Sequence, residues 1–464
     1  MKEKIKIAYL GGGSRNWART FMIDLAKENA FSAEVYLYDI DYVAAKDNET
    51  IANRLFARED VVGKHRFIAV ETLQAALENS DFVVISVLPG TFKEMRSDVH
   101  TPEKYGIYQS VGDTSGPGGI MRALRTVPIF KGFAEAIKQY CPKAWVINYT
   151  NPMSMCVKTL YEVFPEIKAF GCCHEVFGTQ ALLAGALAWD KGVKICKKDV
   201  KINVSGINHF TWITEAKYGE YDIIDSYKRY VDEYFETGVQ TDKNYHWETN
   251  PLVGFHRVKF DLFRRFNAVA AAGDRHLAEF CPGKWYLESP EKVHEWCFNL
   301  TSVDYREKEL EERLATTKAL VEGKEEIQLR HTGEEGVQMI KALCGFEDMV
   351  TNCNTPNRGQ AEGFDYGTIV ETNAVFSADS VKPVCSGRLP DGVHALAYKV
   401  ATQQTRVVRA ILNYDYDEVF ECFANDALVN LPVADAKKLY LEMMENTKAY
   451  IPYADEYLQK ARKN

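Results

Sequence analysis

The sequence predicts an α/β protein: an N-terminal Rossmann-like, doubly wound parallel sheet followed by a mixed α+β, helix-rich domain. Three observations carry this. An apolar strand runs straight into a glycine turn and a helix at the N-terminus, strand-then-helix units repeat through the first third of the chain, and long helical patterns dominate after about residue 195. At 464 residues the chain exceeds what one hydrophobic core usually serves, so two domains are expected, 1–195 and 196–464.

The first unit is Ile5–Leu10, then Gly11-Gly12-Gly13-Ser14, then an amphipathic stretch from Trp17 to Ala26. The second strand, Glu34–Asp39, ends in an acid where a dinucleotide-binding fold bonds a ribose hydroxyl. The turn departs from G-x-G-x-x-G: Asn16 stands at the third glycine, and Asp39 lies 28 residues after Gly11 rather than about 20. A glycine turn in some other α/β protein therefore stays open on the motif alone. Further strands are expected at Asp81–Val87 and Ala144–Tyr149, which places Leu88-Pro89-Gly90 and Asn148–Pro152 at the carboxyl rim where open sheets bind ligands. Asn151-Pro152 also reads as a turn that starts the next helix.

Val111–Gly119 is the most glycine-dense stretch and precedes a helical segment, suited to close backbone approach by a ligand or to simple loop flexibility. Beyond residue 195, Val200–Val204 and His209–Thr214 read as strands around a Gly-Ile-Asn-His turn. Helices are expected over 222–237, 258–272, 306–323, 334–343, 393–412, 417–428 and 434–462.

A formal charge of −9 offers no basic footprint for nucleic acid. No run approaches the roughly 18 apolar residues of a membrane span, and the N-terminus lacks a secretory pattern, so a cytoplasmic location is expected. Eleven scattered cysteines do not form a disulfide framework.

Chemistry concentrates in Cys172-Cys173-His174-Glu175 and in Asn208-His209, a thiol and an imidazole at two strand ends that could share a metal while leaving positions for substrate. A second charged turn, Gly273-Asp274-Arg275-His276, follows an apolar run, and a helix cap alone would explain Asp274.

The N-terminal glycine turn, Asp113–Gly119, Asn151-Pro152-Met153, Cys173-His174-Glu175-Val176, Gly206-Ile207-Asn208-His209 and Asn354–Gln360 occur in the order found in family 4 glycoside hydrolases, which the chain resembles over most of its length. The resemblance implies NAD⁺, a divalent metal such as Mn²⁺, and redox-assisted elimination. In that scheme hydride leaves sugar C3, a base takes the acidified C2 proton, the C1–O bond breaks, water adds, and the hydride returns.

Residue by residue, the resemblance assigns Cys173 and His209 to the metal and His174 to protonation of the leaving oxygen. It assigns Asp274 to C2 deprotonation, with Tyr245 an alternative in the same interval. Arg96 and Asn151 are matched to sugar hydroxyls, and Gly11, Gly13, Ser14 and Asp39 to NAD. Cys-His-Glu-Val at 173–176 is similar to the α-galacturonidase pattern, so hydrolysis of terminal α-linked galacturonic acid is the implied activity. Arg275 and His276 are then candidates for the uronate carboxylate. An α-glucuronidase, an α-galactosidase, a sugar dehydrogenase with net redox turnover and a silent nucleotide-binding regulator are the alternatives. A small-molecule glycoside and copies of the chain itself, as a homo-oligomer, are the expected partners.

Overall fold

Buried β-branched and aromatic residues make the opening segments strands, and the computed structural model, which describes residues 1–241 and 243–462, orders them as a dinucleotide fold would. Strands β1 (Lys4–Leu10), β2 (Ser32–Tyr38), β3 (Lys64–Val70), β4 (Phe82–Ile85), β5 (Trp145–Asn148) and β6 (Lys168–Gly171) lie parallel in the spatial order β3-β2-β1-β4-β5-β6. This is the doubly wound order, with its switch point between β1 and β4. The helices Trp17–Leu25, Tyr42–Leu55 and Gly116–Tyr140 bury apolar faces against it.

The chain then builds a small antiparallel sheet from β7 (Lys201–Ile207), β8 (Phe210–Tyr218), β9 (Tyr221–Asp222) and β10 (Val269–Ala270), with β8 at its centre between β7 and β10. It returns to the large sheet through β11 (Met349–Pro356), makes the short β12 (Ala361–Glu362), and adds β13 (Ile369–Ser377) and β14 (Ser380–Pro383). Finally β15 (Gly387–Arg388) pairs with β12. Because β11 joins β6 at Asn354↔Gly171 and continues antiparallel through β13 and β14, nine strands form one sheet that crosses the expected boundary at residue 195. The largest core likewise joins Ile120, Leu124 and Met155 to Trp212, Val408 and Tyr440.

Two expected helices depart most from the structure. The run 258–272 is the helix Arg257–Phe266, closed by Asn267 at φ 51°, after which Val269–Ala270 pairs with β8 instead of continuing. Its alanines are fully buried, and sheet pairing satisfies their backbone where a helix would need a wider cavity. The run 434–462 splits into Val433–Thr447 and Ala454–Ala461 around Ile451-Pro452, since proline cannot continue a helix.

Candidate active site

The glycine turn is dictated by its surroundings. A Cβ on Gly11, which has φ 95°, would meet the Ser86 carbonyl at 2.0 Å, and one on Gly12 would meet Leu37 at 2.6 Å. Asp39 accepts from the Gly13 N–H (2.9 Å) and from the Asp41 N–H (2.9 Å), while Asn48 donates to the carbonyls of Gly12 (2.8 Å) and Ser14 (3.0 Å). The turn thus opens the helix Trp17–Leu25 at the switch point, and Asn16 places no side-chain cap on it. A helix start at such a position favours a phosphate.

Across the carboxyl edge, β7 and β8 meet in a two-residue turn, Asn208-His209, between paired Ile207 and Phe210, with His209 at φ 63°. That uncommon conformation for a non-glycine residue presents the imidazole to the loop opening the helix Gly116–Tyr140. Asp113, His209 and His276 bring their ligand atoms within 4.8 Å of one another, and the two imidazoles lie 3.9 Å apart. Thr114 donates its one hydroxyl proton to Asp113 (2.7 Å), so toward His209 Nδ1, 3.0 Å away, it can only accept. His209 therefore carries its proton on Nδ1 and leaves Nε2 bare, the orientation a metal ligand needs.

Burial disfavours a charged Asp113, yet Arg122, His209 and His276 outweigh it and hold the carboxyl well below its usual range. Burial also pushes both imidazoles down; His209 adds to the effect on His276 and His174 to that on His209, while Glu175 and Asp113 pull both the other way. One anionic oxygen and two neutral nitrogens is the protonation state that binds a divalent cation.

Glu175 bridges this group to the rest of the site. It accepts from the Gly273 N–H at 2.7 Å and faces His276 Nε2 at 3.5 Å; burial opposes its ionisation, but His276, His174 and His209 keep it ionised. Buried Lys259 donates to Thr179 at 2.7 Å, and burial, against the attraction of Asp274 and Glu175, lowers its pKa to about 8.

The expected residues are distributed as follows. His209 and His276 converge, joined by Asp113, which sequence reasoning passed over because an acid at the head of a glycine run reads as turn chemistry. Cys173 lies at the end of β6, its carbonyl accepting from Asn352 (3.3 Å) and its thiol beside Asn208 and Glu371. Burial, then Glu371, keeps the thiol pKa far above its usual value, and Cys173 is outside the group of three.

His174 is about half exposed, packs on Trp17 with ring centres 5.9 Å apart, and pairs through Nδ1 with Glu334 at 3.1 Å. Burial works against its charge, but Glu334 prevails and raises its pKa to about 9. Asp274 caps the helix Arg257–Phe266, its Oδ1 accepting from Lys259 N–H at 3.1 Å, while Oδ2 is buried without a partner among the described residues. Burial raises its pKa to about 6. Tyr245 is half exposed.

Asn151 accepts from Arg122 Nε at 3.0 Å through its carbonyl, and its side-chain oxygen is buried and unpartnered. Arg275 donates to the Thr301 hydroxyl. Arg96 instead pairs with Asp304 (2.6 Å) and Glu307 (2.8 Å) on the helix Val303–Glu322.

Comparison with known proteins gives this geometry a context. The sequence model of "Family 4 glycosyl hydrolase" matches residues 6–189, and that of its C-terminal domain matches 204–429. The chain is 58% identical, over 96% of its length and 96% of the relative's, to an alpha-galacturonidase of Thermoanaerobacterium saccharolyticum. It superposes at TM-score 0.91 on a crystal structure from Bacillus subtilis described as a glucosidase, lplD, at 46% identity, covering 95% of this chain and 99% of that one. At TM-score 0.80 and 18% identity it shares the fold of a 6-phospho-alpha-glucosidase from gut microorganisms in complex with NAD and Mn²⁺, covering 97% of this chain and 99% of that one.

Proposed function

The chain belongs to family 4 of the glycosyl hydrolases, and on that premise we propose that it hydrolyses terminal α-linked galacturonides with NAD⁺ and a divalent metal such as Mn²⁺. The observation that carries this reading is the full-length 58% identity to an alpha-galacturonidase. The Cys-His-Glu-Val signature at 173–176 agrees with it.

Fit to the two implied groups is supported by unsatisfied polar atoms. Asn151 Oδ1, both amide atoms of Asn208, Asp274 Oδ2 and His276 Nδ1 are buried without hydrogen-bond partners among the described residues. Buried polar groups are rarely left so unless a ligand completes them. His209, Asp113 and His276 would hold the metal, with Cys173 joining as thiolate from the end of β6. Gly11, Gly13, Ser14 and Asp39 would hold the dinucleotide at the switch point. When bound, the pair supplies hydride acceptance and return at C3 and Lewis-acid polarisation of the neighbouring oxygens.

The chain's own residues do the proton work. His174, charged at neutral pH through Glu334, can give its proton to the departing oxygen. Asp274 keeps one oxygen on the helix Arg257–Phe266 and has the other free for the C2 proton. A pKa of about 6 leaves it ionised at neutral pH yet basic enough to act. Asn151 is placed to receive a sugar hydroxyl.

The eleven cysteines are all free thiols, which supports a reducing, cytoplasmic setting, and the family resemblance supports a homo-oligomer. No helix among the described residues is long and apolar enough to cross a membrane. Assay of paired p-nitrophenyl α-D-galacturonide, α-D-glucuronide, α-D-galactoside and α-D-glucoside with NAD⁺ and Mn²⁺ tests the substrate. Galacturonide is expected to give the highest kcat/KM, and preference for a neutral glycoside would contradict the reading.

A further inference from the structure

Three guanidinium groups crowd the site, and their partners differ. Arg122 has Asp113 as counter-charge and donates to the Asn151 carbonyl at 3.0 Å. Arg275 is tied to the Thr301 hydroxyl. The Arg306 side chain makes no hydrogen bond or ion pair among the described residues, and its Nε is buried without a partner.

Arg306 sits in the first turn of the helix Val303–Glu322 with Asp304 and Glu307 close by in the chain. Both acids pair instead with Arg96, at 2.6 and 2.8 Å, since residues one and two positions away on a helix do not face Arg306. The lead-in to that helix is also sewn to the site. Thr301 N–H donates to the Ser110 carbonyl at 3.2 Å, Ser110 Oγ donates to the Arg275 carbonyl at 2.5 Å, and Val303 N–H donates to His100 Nε2 at 3.3 Å. Arg306 is thereby fixed next to the loop that carries Asp113, and after burial its charge is the largest influence lowering the pKa of Arg275.

A partly buried guanidinium with no side-chain partner, beside two others, is open to a ligand carboxylate. The planar fork of arginine matches both oxygens of a carboxylate. We propose that Arg306, together with Arg275, binds the C6 carboxylate of the sugar and so separates uronides from neutral glycosides; the inference rests on the galacturonide reading above. A neutral hydroxymethyl group at C6 leaves the guanidinium uncompensated, which is the kind of mismatch that gives strong discrimination.

The experiment compares full-length, NAD⁺- and Mn²⁺-loaded wild type with Arg306→Gln and Arg306→Lys. The readout is the ratio of kcat/KM for p-nitrophenyl α-D-galacturonide to that for the α-D-galactoside. The expected result is a fall in this ratio of about 100-fold for Arg306→Gln, with a smaller fall for Arg306→Lys, which keeps the charge but loses the fork. An unchanged ratio, or equal losses on both substrates, would assign Arg306 a structural role and overturn the proposal.

Calorimetric titration of the same proteins with free D-galacturonate and D-galactose gives a second readout. Wild type should prefer the uronate and Arg306→Gln should not. If Arg306→Gln does not fold, Arg306→Lys carries both comparisons. A wild type that cleaves no galacturonide sinks the functional reading. A wild type that cleaves it while the variants keep its preference sinks only the role of Arg306.

Discussion

His209 shows how much a single residue's setting decides. Its type and its place after an apolar strand were legible in sequence, whereas its positive φ and the Thr114 contact that fixes its tautomer depend on a loop 95 residues earlier in the chain. Replacing Thr114 by Val removes that acceptor and is expected to weaken Mn²⁺ affinity about 10- to 100-fold, read by calorimetric metal titration. Unchanged affinity would mean that the hydroxyl does not orient the ring.

Glu279 was not singled out at all, because one acid in a helix carries no signal, yet its buried carboxyl accepts from the Val111 (2.7 Å) and Gly112 (2.9 Å) N–H groups and so holds the loop bearing Asp113. Burial raises its pKa from 4.5 to about 8. The native state thus keeps a proton that the unfolded chain releases, so this group's contribution to stability is complete below pH 4.5 and is lost as pH rises through 8. Urea unfolding at pH 5, 7 and 8.5 should show Glu279→Gln gaining on wild type as pH rises, by a few kcal/mol in total. A pH-independent gap would contradict this. Arg96 is the reverse case: matched to sugar hydroxyls by resemblance, it is held by Asp304 and Glu307.

At the scale of elements, the parallel strands with apolar runs and the strand–turn–helix opening were readable, while β11, β13 and β14 were not. Asn352-Cys353-Asn354 and Glu371 put polar residues in strand interiors, where they look like loop chemistry. Their polar groups find partners once the chain folds: Asn352 of β11 donates to Glu371 of β13 at 2.6 Å, and Thr211 of β8, in the smaller sheet, donates to the other oxygen at 3.2 Å. Nothing local in the sequence announces such a pairing. The helices Phe92–His100 and Gly116–Tyr140 are joined in a similar way by the buried pair Asp98–Arg125, with contacts of 2.6 and 3.1 Å. Arg125→Met leaves Asp98 uncompensated and is expected to lower stability by about 3–5 kcal/mol in denaturant unfolding. A loss under 1 kcal/mol would show the pair to be dispensable.

For the molecule as a whole, the two-part division expected from length meets a sheet that runs through both parts. A fragment ending at residue 195 would expose the edge of β6, which β11 covers, and would lose the core shared with Trp212, Val408 and Tyr440. Such a fragment is expected to aggregate or to lack a cooperative thermal transition in calorimetry. A soluble, cooperatively folding fragment would show that the first part stands alone.

The proposed function requires the glycine turn after β1 and the group Asp113, His209 and His276 to serve one substrate. That convergence is tested most directly by following an α-galacturonide through many turnovers, with product formation and absorbance at 340 nm recorded together, before and after NAD⁺ and metal are stripped and restored. The account predicts released galacturonic acid in large excess over NAD⁺, no accumulating NADH, and loss of turnover unless both are restored. Stoichiometric NADH with the glycosidic bond intact, or full hydrolysis by the stripped protein, would contradict it.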